Sequence, residues 1–382
     1  MKFTPSVALV VETHSRIGRE MLKGIGRFLR THVTWDTYVA AEGGGPLPAG
    51  LRNWQGDGVI ATIPSREIEK QYVDLGVPVV NVSAVEPMEQ IASVISHDQA
   101  IGRMGAEHFI ERGFRNLAYF GLPENWYSHR RGEGFARAAS EEGFDPIVYD
   151  HPPLREEDWP RWRADAREWL ATLPTPIGVM ACDDNQGRTL LAVCREMGLR
   201  VPEDVAILGV DNDDVLCELC TPPLSSIEIG GEARGFEAAS LLAKLLEKRP
   251  RPTRPLEIPP QRVETRQSTD VLELDDREVA LAIRYIRSHA HRPISVSDLL
   301  DVVSISRKSL EIRFAESIGK SPGQVIRQAH LRRAKMLLTD TDYPLAEIAR
   351  RAGLRSAKTL CELFRRYEDM TPTEYRRTFV VR

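Results

Sequence analysis

The 382-residue chain has no apolar run approaching the length of a membrane span, which excludes a transmembrane helix. Its first apolar run, Val7 to Val11, ends at Glu12 with no cleavage-like site, so it reads as a first strand and not as a signal peptide. Cysteine is scarce, with five residues at Cys182, Cys194, Cys217, Cys220 and Cys361. An odd, scattered set in a large chain excludes a disulfide framework and fits a reducing cytoplasm, the compartment expected here. Cys217-Glu-Leu-Cys220 has the spacing of a metal or redox pair, but no second pair follows it, and no metal is expected. Ser-His-Asp and metal-ligand sets with usable spacing are missing, so no catalytic residue and no cofactor is assigned. Gly319-Lys-Ser321 resembles the end of a phosphate loop, but Phe314 stands where the first glycine is needed. Gly24-Ile-Gly26 lacks the third glycine of a dinucleotide fingerprint.

What the chain does have is one pattern written twice near its end. The first copy runs from Val296 to Phe314 and the second from Leu345 to Phe364. Apolar residues at spacings of three and four mark two short helices in each copy: Val296, Leu299, Leu300 and Val303, then Leu310 and Phe314; and Leu345, Ile348, Ala349 and Ala352, then Leu360, Leu363 and Phe364. Ser304-Ile-Ser306 and Gly353-Leu-Arg355 form the turns between them, the pattern of a helix-turn-helix. Pro322 and Pro372 follow each closing Phe by eight residues, preceded by Ser321 and Thr371, an N-cap and first helical position. From Arg277 to Arg382 there are 21 Lys and Arg against 12 Asp and Glu, a net of +9, although the whole chain carries −4. A basic end on an acidic body points to a polyanion partner at that end only, and two copies with matching turn and cap positions make double-stranded DNA the expected one.

The second helix of such a unit lies in the DNA major groove. With Leu310 and Phe314 turned inward, Lys308, Glu311 and Ile312 face away from the core; in the second copy Lys358, Thr359 and Glu362 do. These are the candidate base contacts. Arg307, Arg355, Arg365 and Arg366 are assigned to phosphates. A solvated helical bundle with basic faces is the bland alternative for either copy alone.

Before this end, short apolar runs alternate with helical segments: Val7–Val11, Gly56–Ala61, Val77–Val82, Ser93–Asp98, Asn116–Gly121, Ile177–Cys182 and Val205–Val210. The expectation is an α/β fold with parallel sheets covered by helices. Ligands bind beyond the carboxyl ends of such strands. The residues there are His14 and Arg16; Asp98; Trp126, Tyr127 and Arg131; Asp183 and Asn185; Asp211 and Asn212. Carboxylates, amides and arginines can donate to and accept from hydroxyls, and aromatics add a flat wall. Each alone reads as readily as a helix cap. Together, after successive strands, they suggest a small-molecule site for a sugar.

The C-terminal segment resembles the AraC-type DNA-binding domain, down to the closing Pro372-Thr-Glu-Tyr375-Arg376. That resemblance implies two helix-turn-helix units joined by a long helix at about Pro322 to Leu338. Arg131-Gly-Glu-Gly-Phe135, Gly209-Val-Asp-Asn212, Pro223–Ile227 and Arg266-Gln-Ser268 resemble the sugar-binding module of the lactose/galactose-repressor family. The resemblance implies a two-lobed, periplasmic-binding-protein-like module in which Arg131 and an Asp at 211 contact the ligand. Lobe 1 is placed at about 1–113 and 228–252, lobe 2 at about 114–227 and 253–270, and the DNA-binding domain at 271–382. The order of modules, with Gly121–Glu124 and Ile305-Ser-Arg307, resembles pentose-operon regulators of the xylose type. Gly18 departs from that pattern, standing where an acidic residue is expected.

The reading is a cytoplasmic, sugar-responsive transcription activator, induced by xylose or a related pentose. A homodimer is expected, and RNA polymerase is left open as a further partner. Alternatives are a sugar-binding enzyme, a regulator answering to another hexose or a uronate, and an architectural DNA protein with a vestigial cleft.

Overall fold

A computed structural model describes residues 4–40, 43–86, 88–122, 124–149, 159–270, 276–368 and 370–379. The chain divides into two compact units. One comprises Met1–Glu107 and Asn116–Asp270, the other His108–Arg115 and Val271–Arg382.

The first unit holds two six-stranded sheets. Strands β1 (Ser6–Val10), β2 (Asp36–Ala40), β3 (Gly58–Ala61), β4 (Val79–Asn81), β5 (Ala92–Ser96) and β11 (Leu256–Ile258) form one, in the order β11-β5-β4-β3-β1-β2. All its pairings are parallel. Strands β6 (Asn116–Phe120), β7 (Ile147–Tyr149), β8 (Ile177–Ala181), β9 (Val205–Val210), β10 (Ser225–Glu228) and β12 (Arg262–Glu264) form the other, in the order β12-β10-β9-β8-β6-β7. Only β12 runs antiparallel to its neighbour. Strands β3, β5, β8 and β9 are buried along their whole length, as apolar runs covered on both faces must be. The α/β, two-lobed expectation therefore holds.

Glycines let two helix pairs approach backbone to backbone. In α1 (Arg16–Thr31) a Cβ on Gly24 would sit 1.9 Å from the Glu232 carbonyl oxygen of α8 (Gly231–Leu246). In α3 (Asp98–Ile110) a Cβ on Gly102 would sit equally close, at 1.9 Å, to the Arg131 carbonyl oxygen of α4 (Trp126–Glu141). Gly235 and Gly134 return the contact from the facing helices. Phe28 and Phe236 meet edge to face at 5.3 Å beside the first pair.

These contacts correct the expected lobe boundaries. Gly105 of α3 lies against Met180 of β8, so α3 packs with the second sheet. The first crossing thus falls at His97, between β5 and α3, and not near residue 113. The last crossing falls after Ile258, because β11 pairs with β5; it was expected at 252.

The second unit has two hydrophobic cores. Helices α9 (Arg277–His289), α10 (Val296–Leu300) and α11 (Arg307–Ile318) enclose Val279, Ile283, Ile286, Leu299, Val303, Leu310 and Phe314. Helices α13 (Leu345–Arg351) and α14 (Ala357–Glu368) enclose Ile348, Ala349, Leu360, Leu363 and Phe364. The long α12 (Pro322–Asp340) serves both, giving Ile326 to the first core and Leu331, Leu337 and Leu338 to the second. It opens on a capping box between Ser321 and Gln324, with Pro322 in its first turn. Thr371 and Glu374 exchange the same pair of bonds ahead of α15 (Pro372–Phe379). In the second turn, Gly353 has φ +70°, and a Cβ there would meet the Arg292 carbonyl oxygen at 2.4 Å.

Candidate functional site

The carboxyl ends of the strands in the first unit carry a charge cluster, buried at Asp98 and Arg131 and 32% exposed at the Asp211 side chain. Arg131 projects from α4, and its Nε donates to Asp98 Oδ1 at 2.9 Å; the two side chains are 5% and 1% exposed. Its Nη1 donates to the Cys182 carbonyl at the end of β8. Its Nη2 lies 3.9 Å from Asp211 Oδ1, after β9. One guanidinium thus ties together the ends of three chain segments. Its charge is held firmly, since Asp98 and then Asp211 oppose the effect of burial. Burial raises the Asp98 carboxyl despite Arg131. Burial also pushes Asp211 up to about 7, with Arg131 opposing and Asp183 adding to the rise.

Tyr127 completes this wall. Its hydroxyl donates to Asp183 Oδ2 at 3.3 Å and accepts from Asn125 Nδ2 at 3.1 Å. The Arg131 guanidinium stands 4.7 Å from its ring centroid. Asp183 shares itself, because its Oδ1 caps α6 (Asp184–Met197) by accepting from the Gln186 amide at 2.8 Å.

Backbone strain marks the same place. Asp211 has φ 102° and Asn212 φ 51°, two consecutive residues in a region that side chains disfavour. Arg16, near the start of α1, donates from Nη1 to the Asn212 carbonyl. It also pairs with Glu20 at 2.9 Å and Glu228 at 3.4 Å. The Asn212 side chain turns elsewhere, with Oδ1 accepting from Arg266 Nη2 at 2.9 Å.

In the second unit the residues expected to meet DNA lie on α11 and at or on α14. Arg307, Lys308, Glu311 and Ile312 are exposed on α11, and Arg355, Lys358 and Glu362 are exposed at or on α14. Arg307 and Glu311 pair with each other at 3.2 Å. Thr359 is only half-exposed; its amide donates to Ser356 Oγ and its hydroxyl lies 3.1 Å from the same atom.

Three family models match the chain in series: an XylR N-terminal domain over residues 6–92, a periplasmic binding protein-like domain over 106–269, and a helix-turn-helix domain over 299–378. The xylose operon regulatory protein of Escherichia coli (strain K12) is 32% identical over 379 residues, covering 97% of this chain and 96% of that one. The chain belongs to the xylose operon regulatory protein family. The family member of Haemophilus influenzae is 29% identical over 97% of each chain. A solved structure of the xylose-binding transcription activator XylR matches over the full length of both chains, with 30% identity and a TM-score of 0.63. A CelR–cellobiose complex matches 69% of this chain with 26% identity and a TM-score of 0.54. Membership makes the chain a DNA-binding transcription regulator.

Of the expected ligand residues, the fold brings together Arg16, Asp98, Tyr127, Arg131, Asp183, Asp211 and the Asn212 backbone. Three go elsewhere. His14 is exposed, and the loop gives its carbonyl, not its ring, to Arg19. Asn185 is exposed two positions beyond the Asp183 cap, where the helix turns it outward. Trp126 lies 5.4 Å from the Arg130 guanidinium. Two further residues stand beside the cluster: Asp184, one of the carboxylates that follow β8, and Arg234, which no sequence pattern singles out. Asp184 is a buried strut, accepting from Ser226 Oγ at 2.5 Å and the Asp213 amide at 2.7 Å. Burial, then Asp211, raises its carboxyl well above the usual range. Arg234 of α8 is 6% exposed and donates to Ser96 Oγ at 3.2 Å. It follows a strand, β10, but four residues into its helix, beyond the loop where polar clusters signal a site.

Gly18 is explained by packing. A Cβ there would lie 1.7 Å from the Glu12 carbonyl oxygen. The turn into α1 thus has no room for the acidic side chain expected at that position.

Proposed function

We propose that this protein is a cytoplasmic, sugar-responsive transcription activator whose effector is xylose or a related pentose. The observation that carries the reading is the Asp98–Arg131–Asp211 cluster at the strand ends of a two-lobed module, on the same chain as twin helix-turn-helix units. Alternating carboxylates and guanidinium offer both acceptors and donors to hydroxyls. The xylose regulators to which the chain is related support the choice of sugar. Residues 1–270 act as the sensor and 271–382 as the AraC-type DNA-binding domain. Arg16, Asp98, Tyr127, Arg131, Asp183 and Asp211 hold the effector. Lys308, Glu311, Ile312, Lys358, Thr359 and Glu362 meet bases, and Arg307 and Arg355 meet phosphates.

The sugar acts by its difference in affinity for two conformations, raising the population of the one that activates. The working species is a homodimer formed through the first lobe, bound to direct repeats beside a promoter, where RNA polymerase is its further partner. No turnover of the sugar is expected, since the relatives are transcription regulators. Among the described residues no helix is long and apolar enough to cross a membrane.

Thermal unfolding of the full chain against pentoses, hexoses and uronates tests this reading. A sugar at 100 times its Kd adds about 2.7 kcal/mol. A shift with xylose or another pentose supports the assignment, and a shift with a hexose or uronate alone changes the effector. The absence of any shift, with DNA binding intact, removes the sensor function.

A further inference from the structure

Arg234 and Asp98 share a feature that the cluster around Arg131 does not use. Each is nine-tenths or more buried, and each keeps one polar atom with no hydrogen-bond partner: Nε of Arg234 and Oδ2 of Asp98. The first can only donate and the second, when ionised, can only accept. Both residues belong to one corner of the fold. Arg234 Nη1 donates at 3.2 Å to Ser96 Oγ, and Ser96 closes β5 two residues before Asp98 opens α3. Arg234 forms no ion pair within 4 Å among the described residues, yet the carboxylates of Asp211 and Asp98 and the Arg131 guanidinium all act on its charge. Burial lowers its pKa.

A guanidinium is costly to bury with a donor unfilled, as is a carboxylate with an oxygen unfilled. A hydroxyl resolves both at once, because it accepts from Nε and donates to Oδ2. The charges are also already matched. Above about pH 7, where Asp211 is ionised, Arg131 and Arg234 supply two cations and Asp98 and Asp211 two carboxylates, before Asp183 is counted. A ligand carboxylate placed here would leave the buried site with surplus negative charge, whereas a neutral polyol adds none.

We propose that Arg234 is a further effector-binding residue, that it works with Asp98 as a donor–acceptor pair on a sugar hydroxyl, and that this pair selects an uncharged sugar over a sugar acid. The assignment rests on the sensor reading above and adds to it a specificity-determining residue from α8.

The test uses the full-length protein and calorimetric titration with the neutral sugar that binds it, each monodeoxy analogue of that sugar, and the corresponding uronic acid. Two variants accompany the wild type: Arg234→Gln, and Arg234→Lys, which keeps the charge and loses the Nε donor. Each variant is expected to weaken neutral-sugar binding roughly 10- to 100-fold. One monodeoxy analogue should show a similar loss with the wild type and almost no further loss with either variant. That non-additivity separates contact from mere structural support. If Arg234→Lys retains affinity within twofold, or if every analogue loses equally in all three proteins, the contact is overturned. A uronic acid that binds the wild type more tightly than its neutral parent overturns the selection. If the wild type binds DNA but no sugar of either kind, the sensor reading itself fails, an outcome distinct from both.

Discussion

The Nε of Arg131 donates to Oδ1 of Asp98 at 2.9 Å, and neither side chain reaches water to any useful extent. Such a pair is weak evidence for net stability, because desolvation offsets its attraction. Breaking it is another matter, since one buried charge is then left alone. Asp98→Ala is expected to destabilise the chain by roughly 3–5 kcal/mol and to abolish sugar binding. Asp98→Asn, which keeps the size and one acceptor, should cost less. Urea unfolding with and without sugar checks both; equal stability of the Ala variant and wild type would refute the pair's role.

Asp211 gives a pH dependence whose sign is fixed. Its folded carboxyl titrates at about 7, pushed up mainly by burial. Unfolded, an aspartate titrates near 3.9. Between these values the folded chain holds a proton that the unfolded chain releases, so this contribution is present in full below about 4 and is lost as pH rises through about 7. Thermal unfolding at pH 5.5 and pH 8 should therefore show a larger fall for wild type than for Asp211→Asn. The variant keeps part of the slope, because Asp184 is raised for the same reason. An identical fall in both proteins would place the dependence elsewhere.

The strands and paired helices were readable because their burial is periodic: β8 and β9 are unbroken apolar runs, and Leu310 with Phe314 mark one face of α11. Side-chain direction was harder to read. His14, Asn185 and Trp126 occupy the right loops, but capping and helix rotation decide which loop residue points inward. Arg234 was hidden in a helix interior, where an arginine ordinarily reads as solvated surface. Gly18 looked like a loss of chemistry and is instead a steric requirement. Gly18→Asp should destabilise by roughly 1–3 kcal/mol, since the Glu12 carbonyl must move. Gly26→Ala is the control: its added Cβ meets only the flexible Arg30 end at 3.4 Å, and it should stabilise by about 0.5–1 kcal/mol. Melting curves that rank the two the other way would contradict this packing.

On DNA, the exposed arginines and the outward lysines should separate by kind of effect. Arg355→Ala weakens binding to all sequences alike and lowers the slope of log affinity against log salt by about 0.9. Lys358→Ala relaxes specificity at one base position by about 1–3 kcal/mol. Titrations at several salt concentrations, against the operator and single-base variants, distinguish them. A Lys358 variant with unchanged specificity would move that residue to the phosphate class.

Phe314 and Phe364 sit at equivalent places in two separate cores, and each is wholly buried. Truncating either to Ala should cost about 3–5 kcal/mol of local stability. The two losses need not spread equally. Helix α12 gives Ile326 to the first core but Leu331, Leu337 and Leu338 to the second, so α12 depends more on the core that holds Phe364. Phe364→Ala should therefore loosen α12 as well as α13 and α14, while Phe314→Ala leaves the C-terminal part of α12 packed. Hydrogen exchange along α12 reads this directly. Faster exchange across 331–338 in the Phe364 variant alone is the expected result; equal acceleration in both would mean the two cores unfold as one.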